Sequence, residues 1–409
     1  MNKRILIIVA SIIVLVGLLV GAYFLFFANG PSLSVGIPSD PFGSSGDRAE
    51  SELLGPDGQP IQGAGTVVAP RLIRISDAPV AKGAVALYIP PVLSTSTATT
   101  TEPEIPSDIE VRFVERQSGN IYAFRIHDRL LTRVSNRTLP GIQEAVWAAD
   151  GSRAFVRYLT RAADGTEHAD TYALPADGGE GYFLEQDLEQ IAVRNSAAVF
   201  SLLPSSSGAV GSLSNPDGTN VRTLFTSMLS RLRTAFSGTD LVATTKASSG
   251  LDGYAFLVSG ANGSFTRILG PLRGLATLPN PEGTAVLYSY VDSNRTYLQV
   301  LDLASRNATA LPLVTLAEKC VWEAGGRAVY CGVPTALAGN VPDEWYQGAK
   351  TFSDRIWRID LDTRLATLVI DPGQVAEVAI DAVALTIDPM NDVLVFTNKK
   401  DGTLWAYDL

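Results

Sequence analysis

An all-β fold is predicted by three observations. First, a strand, a tight polar turn and a second strand recur at AVWAADGSRAFVRY (145–158), IAVRNSAAVFSLL (191–203), RTAFSGTDLVATTK (233–246), LATLPNPEGTAVLYSY (275–290), KCVWEAGGRAVYCGV (319–333) and ALTIDPMNDVLVFTN (384–398). Their turn centres, near Asp150, Asn195, Ser237, Glu282, Gly325 and Asn391, are 45, 42, 45, 43 and 66 residues apart. Second, a two-strand segment around a Gly/Asn/Asp/Ser turn falls between successive repeats, as in GNIYAFRIHDRLLTRVS (119–135) and DRIWRIDLDTRLATLVI (354–370). Four strands in a period of about 40–45 residues is the pattern of a β-propeller blade. Third, the ends of the repeat region complement each other. GTLWAYDL (402–409) reads as a third strand with no fourth after it, and RLIRIS (71–76) as a fourth strand with no third before it. The reading is a seven-bladed β-propeller of four-stranded antiparallel blades over 71–409, its last blade closed by an N-terminal strand. Closure of that kind leaves no open sheet edge.

Ahead of the repeats, residues 5–27 carry no charge. As a helix this run would be roughly 35 Å long, enough to span a bilayer. Lys3 and Arg4 precede it, whereas Asp40, Asp47, Glu50, Glu52 and Asp57 follow it against Arg48. That asymmetry predicts a signal anchor with residues 1–4 cytoplasmic and the propeller extracytoplasmic, a single-pass cell-membrane protein. Its apolar stretch is longer than that of a cleaved signal peptide, and no small-x-small cleavage site stands out. Gly, Pro and Ser make up 20 of the 43 residues in 28–70, which predicts a flexible linker. RLIRIS then supplies the closing strand, PVAKGAVALYI (79–89) the first strand of the first blade and EVRFVER (110–116) its second. Two segments interrupt the pattern: the Ser/Thr/Pro-rich 90–108 between the first two strands of the first blade, and 333–353 between the second and third strands of the sixth. Loops of these two classes emerge on opposite faces of a meandering blade.

Function is less legible. The net charge of −10 argues against nucleic acid, whose phosphates demand a basic footprint. The two histidines, His127 and His168, belong to loops on opposite faces and cannot share a metal. Cys320 and Cys331 face each other across a hairpin, so no His/Cys zinc set forms. No phosphate loop, dinucleotide fingerprint or nucleophile elbow is present. Asp150, Asp217 and Glu282 stand at turn positions, where carboxylates hold the turn. No catalytic residue, metal ligand or cofactor is therefore assigned. Cys320 and Cys331 are a disulfide candidate in an oxidising compartment. A two-residue Gly325-Gly326 turn would make them a hydrogen-bonded pair, whose wider spacing suits a bridge less well. Trp345 and Tyr346, adjacent aromatics in the 333–353 insertion, are candidate binding residues. The alternative is that Trp345 folds back and caps its own blade.

WAADGSR (147–153) and PNPEGTAVLYS (279–289) resemble the W-S-P-D-G-x-x-apolar-apolar-aromatic repeat of TolB-type and WD-repeat-like propellers. The resemblance covers 71–409 as repeats. The third and sixth blades depart from it in lacking the Pro-Asp/Glu-Gly turn, and the Gly-His and Trp-Asp pairs of true WD repeats are absent. The motif turns a hairpin and fills a blade interface, so it implies fold rather than partner. Anchor, linker and propeller together resemble membrane-tethered propellers of bacteria, a resemblance that carries no activity. The function expected is a binding scaffold recruiting an envelope protein or peptide. The alternative is an enzyme acting on glycan or lactone-like substrates through channel carboxylates, and a third reading is a structural spacer in a larger envelope assembly.

Overall fold

The computed structural model describes residues 70–91, 106–337 and 341–409. The expected cytoplasmic end, the membrane helix 5–27, the linker as far as residue 69 and most of the 90–108 insertion lie outside the described residues. Among the described residues no helix is long and apolar enough to cross a membrane.

The first strand, β1 (Leu72–Arg74), does not pair with its neighbours in sequence. Antiparallel meanders follow it: β2 (Val80–Ile89), β3 (Asp108–Glu115), β4 (Ile121–Arg125) and β5 (Leu131–Arg133), then β6 (Ile142–Trp147), β7 (Arg153–Arg161), β8 (Glu167–Pro175) and β9 (Tyr182–Phe183). A parallel bridge, Lys82 opposite Glu144, joins these two into one sheet through their innermost strands. Gly83 stands beside that bridge because a Cβ there would lie 2.2 Å from the Ala145 carbonyl oxygen. Next come β10 (Gln190–Arg194), β11 (Ala198–Ser205), β12 (Gly208–Ser214) and β13 (Arg222–Ser227). The strands β14 (Leu232–Ser237), β15 (Asp240–Thr245) and β16 (Asp252–Val258) lead into β17 (Phe265–Pro279). That long strand pairs with β16 through its first part and with β18 (Ala285–Asp292) through its second. It thus ends one meander and starts the next, which continues through β19 (Arg295–Asp302) and β20 (Ala308–Ala310). A further sheet holds β21 (Cys320–Trp322), β22 (Ala328–Pro334), β23 (Asp354–Asp360) and β24 (Ala366–Ile370).

The last sheet contains β25 (Ala382–Ile387), β26 (Val393–Asn398) and β27 (Leu404–Asp408), and its fourth strand is β1. Leu72 pairs with Tyr407, Ile73 with Ala406 and Arg74 with Trp405. Ser76 reinforces the seam, its hydroxyl accepting from the Leu404 N–H at 2.9 Å.

Burial explains why the inner hairpins read most clearly in the sequence. Every residue of β26 is buried, whereas the outer strand β5 is exposed throughout. A strand covered on both faces is a continuous apolar run, and an outer strand need not be. Apolar clusters fill the gaps between successive sheets. Phe155 and Ala173 pack on Ile191 and Val199; Phe200 and Phe225 sit with Leu241 and Val258; Leu287 and Leu298 meet Trp322 and Val329. One cluster joins the two ends of the series, with Ile73, Val395 and Leu404 against Val80, Val111 and Phe113.

Candidate functional site

The innermost strands β2, β6, β10, β14, β21 and β25 and the second part of β17 surround a common space. Two cavities of about 770 and 470 Å³ open there on the side of the first-hairpin turns, and both are lined by Trp147, Ala149, Asn195, Pro281 and Glu282. The turns brace one another around this mouth. The Ala149 N–H donates to the Asn195 carbonyl at 3.2 Å, the Gly238 N–H to Pro281 at 3.1 Å and the Ala324 N–H to Asn391 Oδ1 at 2.7 Å. Asn195 and Asn391 adopt positive φ of 48° and 63°, which asparagine tolerates better than most side chains.

Carboxylates at this end are largely committed to structure. Asp388 is buried and accepts from the N–H groups of Met390, Asp392 and Val393 at 2.6–2.7 Å. Glu323 pairs with Arg358 at 3.1 Å. Asp150 Oδ1 receives the Ser152 N–H at 3.0 Å and hydroxyl at 2.7 Å, and Asp217 does the same for Thr219 at 2.9 and 2.6 Å. Glu282 is the exposed carboxylate of the shared rim. Arg194 lies over the Phe236 ring, 5.6 Å from its centroid. Two polar groups of the lining stand out: Trp147 Nε1 and Thr234 Oγ1 are buried without a hydrogen-bond partner.

The opposite end is covered by the described parts of the 333–353 insertion, 333–337 and 341–353. Val341 and Pro342 lead into the short helix α1 (Asp343–Tyr346), which lies across several sheets. Asp343 Oδ2 accepts the Ser249 N–H at 2.6 Å, from the loop after β15. Arg233 of β14 lies 5.9 Å from the Tyr346 ring centroid. Burial, with Glu318 alongside, pushes the Tyr346 phenol well above its ordinary pKa. Trp345 is only 4% exposed and packs with Leu316, Phe352 and Val383. Its indole N–H reaches Asp381 at 3.1 Å, and its carbonyl accepts from Lys399. The binding candidate Trp345 therefore faces inward, as a cap, and half-buried Tyr346 packs against the same apolar cluster. Trp345→Ala is expected to cost about 3–5 kcal/mol. Limited proteolysis should then cut within 333–353 at protease levels that leave the parent chain whole.

Beneath that cap lies a group the sequence reading missed. Lys319 ends a short 3-10 turn (Ala317–Lys319), and its side chain is wholly buried. Its Nζ lies 2.8 Å from Asp354 Oδ2 and 2.5 Å from Asp381 Oδ1, both carboxylates being equally enclosed. The aromatic rings of Trp345 and Phe352 stand 5.0 and 5.5 Å from that nitrogen. The available signal was a lysine between Ala317 and Cys320 in an apolar run; its partners are 35 and 62 residues away.

Cys320 and Cys331 are joined by a disulfide, with Cα atoms 4.0 Å apart. The turn differs from the two-residue form expected. The Glu323 N–H bonds the Ala328 carbonyl, leaving four residues in the loop. The ladder alternates from there, so the Cys320–Cys331 pair falls at a narrow, non-hydrogen-bonded position. Cys320→Ser with Cys331→Ser is expected to remove about 2–3 kcal/mol on the loop-entropy estimate for so short a loop. A thermal melt of the double variant, compared with parent protein with and without reductant, measures it.

The histidines are apart. His127 Nδ1 meets Asp108 Oδ1 at 2.9 Å, and His168, which lies within β8 rather than in the preceding loop, meets Asp187 Oδ2 at 2.8 Å. The hydrogen bond to Asp187 raises the His168 pKa. Among the described residues, no three His, Cys, Asp or Glu side chains converge to hold a metal.

No protein-family model and no curated protein matches the chain. TolB from Acinetobacter baumannii aligns at a TM-score of 0.42 and 12% identity over 60% of this chain, spanning 58% of its own length. An oligogalacturonate lyase solved in complex with manganese aligns at a TM-score of 0.50 and 10% identity, over 80% of this chain and 98% of the lyase. At that identity the likeness concerns architecture alone: the chain is an all-β protein with the β-propeller fold.

Proposed function

We propose that this chain is a membrane-tethered, extracytoplasmic seven-bladed propeller that binds a protein or peptide segment of the cell envelope at its open channel mouth. The count of seven is supported by the apolar clusters, one between each successive pair of four-stranded units and one between the last and the first. The Cys320–Cys331 disulfide supports an oxidising compartment. The tether rests on the uncharged run 5–27 and the basic residues before it.

The observation that carries the binding reading is the mouth itself. It is wide, framed by Trp147 and Phe236, and carries Arg194 and exposed Glu282 in its lining. An extended peptide has polar and charged groups for Arg194 and Glu282 and apolar side chains for the aromatic frame. The glycan or lactone enzyme is the weaker alternative, because Asp388, Glu323 and Asp150 are tied to structural partners. The test is peptide-display selection on the purified protein, followed by affinity capture from native membranes. Enriched peptides should compete with the captured envelope protein. Arg194→Glu with Glu282→Arg should weaken both at least tenfold with an unchanged melting temperature. Binding that survives this exchange, or no selected peptide, defeats the reading.

A further inference from the structure

The Lys319 cluster has features that an ion pair does not need. Its three side chains are wholly enclosed, and its two carboxylates are hydrogen-bonded very differently. Asp381 accepts from the Trp345 indole at 3.1 Å and from the Phe352 N–H at 3.0 Å as well as from Lys319. Those donors reach both of its oxygens. Asp354 accepts from Lys319 and, at 2.7 Å, from the Ala382 N–H, both through Oδ2. Its other oxygen, Oδ1, is buried with no partner at all. A carboxylate so placed is poorly stabilised, while a neutral acid tolerates the site.

We propose that Lys319 and Asp354 become joined by an amide bond between Nζ and Cγ, formed by the folded chain itself with Asp381 moving the protons. The ammonium of Lys319 gives one proton to Asp381. The free amine attacks Cγ of Asp354, which enters as the acid with its proton on Oδ1. The Ala382 N–H on Oδ2 stabilises the negative charge that develops there, as an oxyanion donor does. Asp381 passes its proton to the departing hydroxyl, the Cγ–Oδ1 bond breaks and water leaves. The remaining excess proton on nitrogen goes to Asp381 and is released, replacing the one that Asp354 took up. In sum, an ammonium and a carboxylate become an amide and water. Nothing is oxidised or reduced, and no co-reactant is required.

The surroundings favour each step. Burial pushes the Asp354 carboxyl up to about 6, so a share of it is the attackable acid near neutral pH. The Lys319 amine is held against both the Asp354 carboxyl it attacks and the Asp381 base, which converts an otherwise bimolecular condensation into an intramolecular one. Trp345 and Phe352 wall the cluster off, and excluding water disfavours hydrolysis of the product. The linkage would tie the 3-10 turn before β21 to the first residue of β23, on either side of the insertion.

Intact-mass spectrometry of the full-length protein, after reduction of its disulfide, decides the matter. The expected mass is one water below that of the sequence. Proteolysis should release a branched peptide joining the Lys319 and Asp354 segments. Lys319→Arg should restore the full mass and abolish the branched peptide, and Asp381→Asn should slow or abolish linkage while the protein stays folded by circular dichroism. Parent protein at its full sequence mass overturns the proposal without recourse to any variant. A water loss mapped to other residues overturns it equally, and unchanged linkage in Asp381→Asn removes Asp381 from the mechanism.

Discussion

Deleting residues 71–77 is expected to cost on the order of 5 kcal/mol or more and to convert a monodisperse protein into an aggregating one. Leu72, Ile73 and Ile75 are all buried, and each apolar side chain of this size contributes about 1.5–3 kcal/mol on burial. The deletion also strips β27 of one of its two partners, leaving it paired with β26 alone and with its other edge free. An unprotected edge recruits other strands, so light scattering should rise together with the fall in melting temperature. The informative control is Arg71→Ala. It removes the 2.7 Å bond from Nε to the Asp408 carbonyl and the ring contact with Tyr407 but keeps the strand. That variant should stay monomeric and lose about 1 kcal/mol. A deletion that melts within a few degrees of the parent would show that β1 does not hold the last sheet.

Lys319→Met is the second large effect. It takes the Lys319 nitrogen from between two wholly buried acidic side chains, whether that nitrogen is free or linked, and removing one member of a buried charged cluster costs about 3–5 kcal/mol. Replacing all three residues by apolar ones does not rescue the loss as it can elsewhere. The Ala382 and Phe352 N–H groups and the Trp345 indole would then lose their acceptors. Denaturant titration of Lys319→Met and of the triple variant separates these contributions. Near-parental stability of the triple variant would mean that the three N–H donors find other acceptors once the charges are gone.

The repeat was readable because its signals are local. A turn needs positive φ at one or two residues, and Gly151, Asn195, Gly238, Gly283, Gly326 and Asn391 supply it at nearly regular intervals. The closing strand was readable from what it lacked, since RLIRIS has an outer-strand composition and no hairpin partner beside it. Other features depend on distances that local signals do not encode. The Gly325-Gly326 pair suggested a two-residue turn, yet the ladder closes at Glu323 and Ala328, and that change of phase moved the cysteines from a wide pair to a narrow one. Trp345 looked available for a partner because the strands on either side of its loop do not need it; it is covered by Val341 and Phe352 of that loop together with Leu316 and Val383 from elsewhere in the fold. Lys319 was invisible for the same reason, its charge being answered only after the sheets are assembled.

The pairing of Leu72 with Tyr407 bears on the order of events in time. Every other strand meets its partner within a few tens of residues, and those hairpins can form early. The β1–β27 seam must wait until more than 300 residues are in place. Loop closure over such a span grows only logarithmically with length, so the thermodynamic cost is modest, but the delay is not. The seam should be the last structure gained on refolding and the first lost on unfolding. Amide exchange at Ala406 and Tyr407 would then report the opening rate of the whole ring, and anything that pins those two strands together would lengthen the lifetime of the folded state more than it deepens its stability.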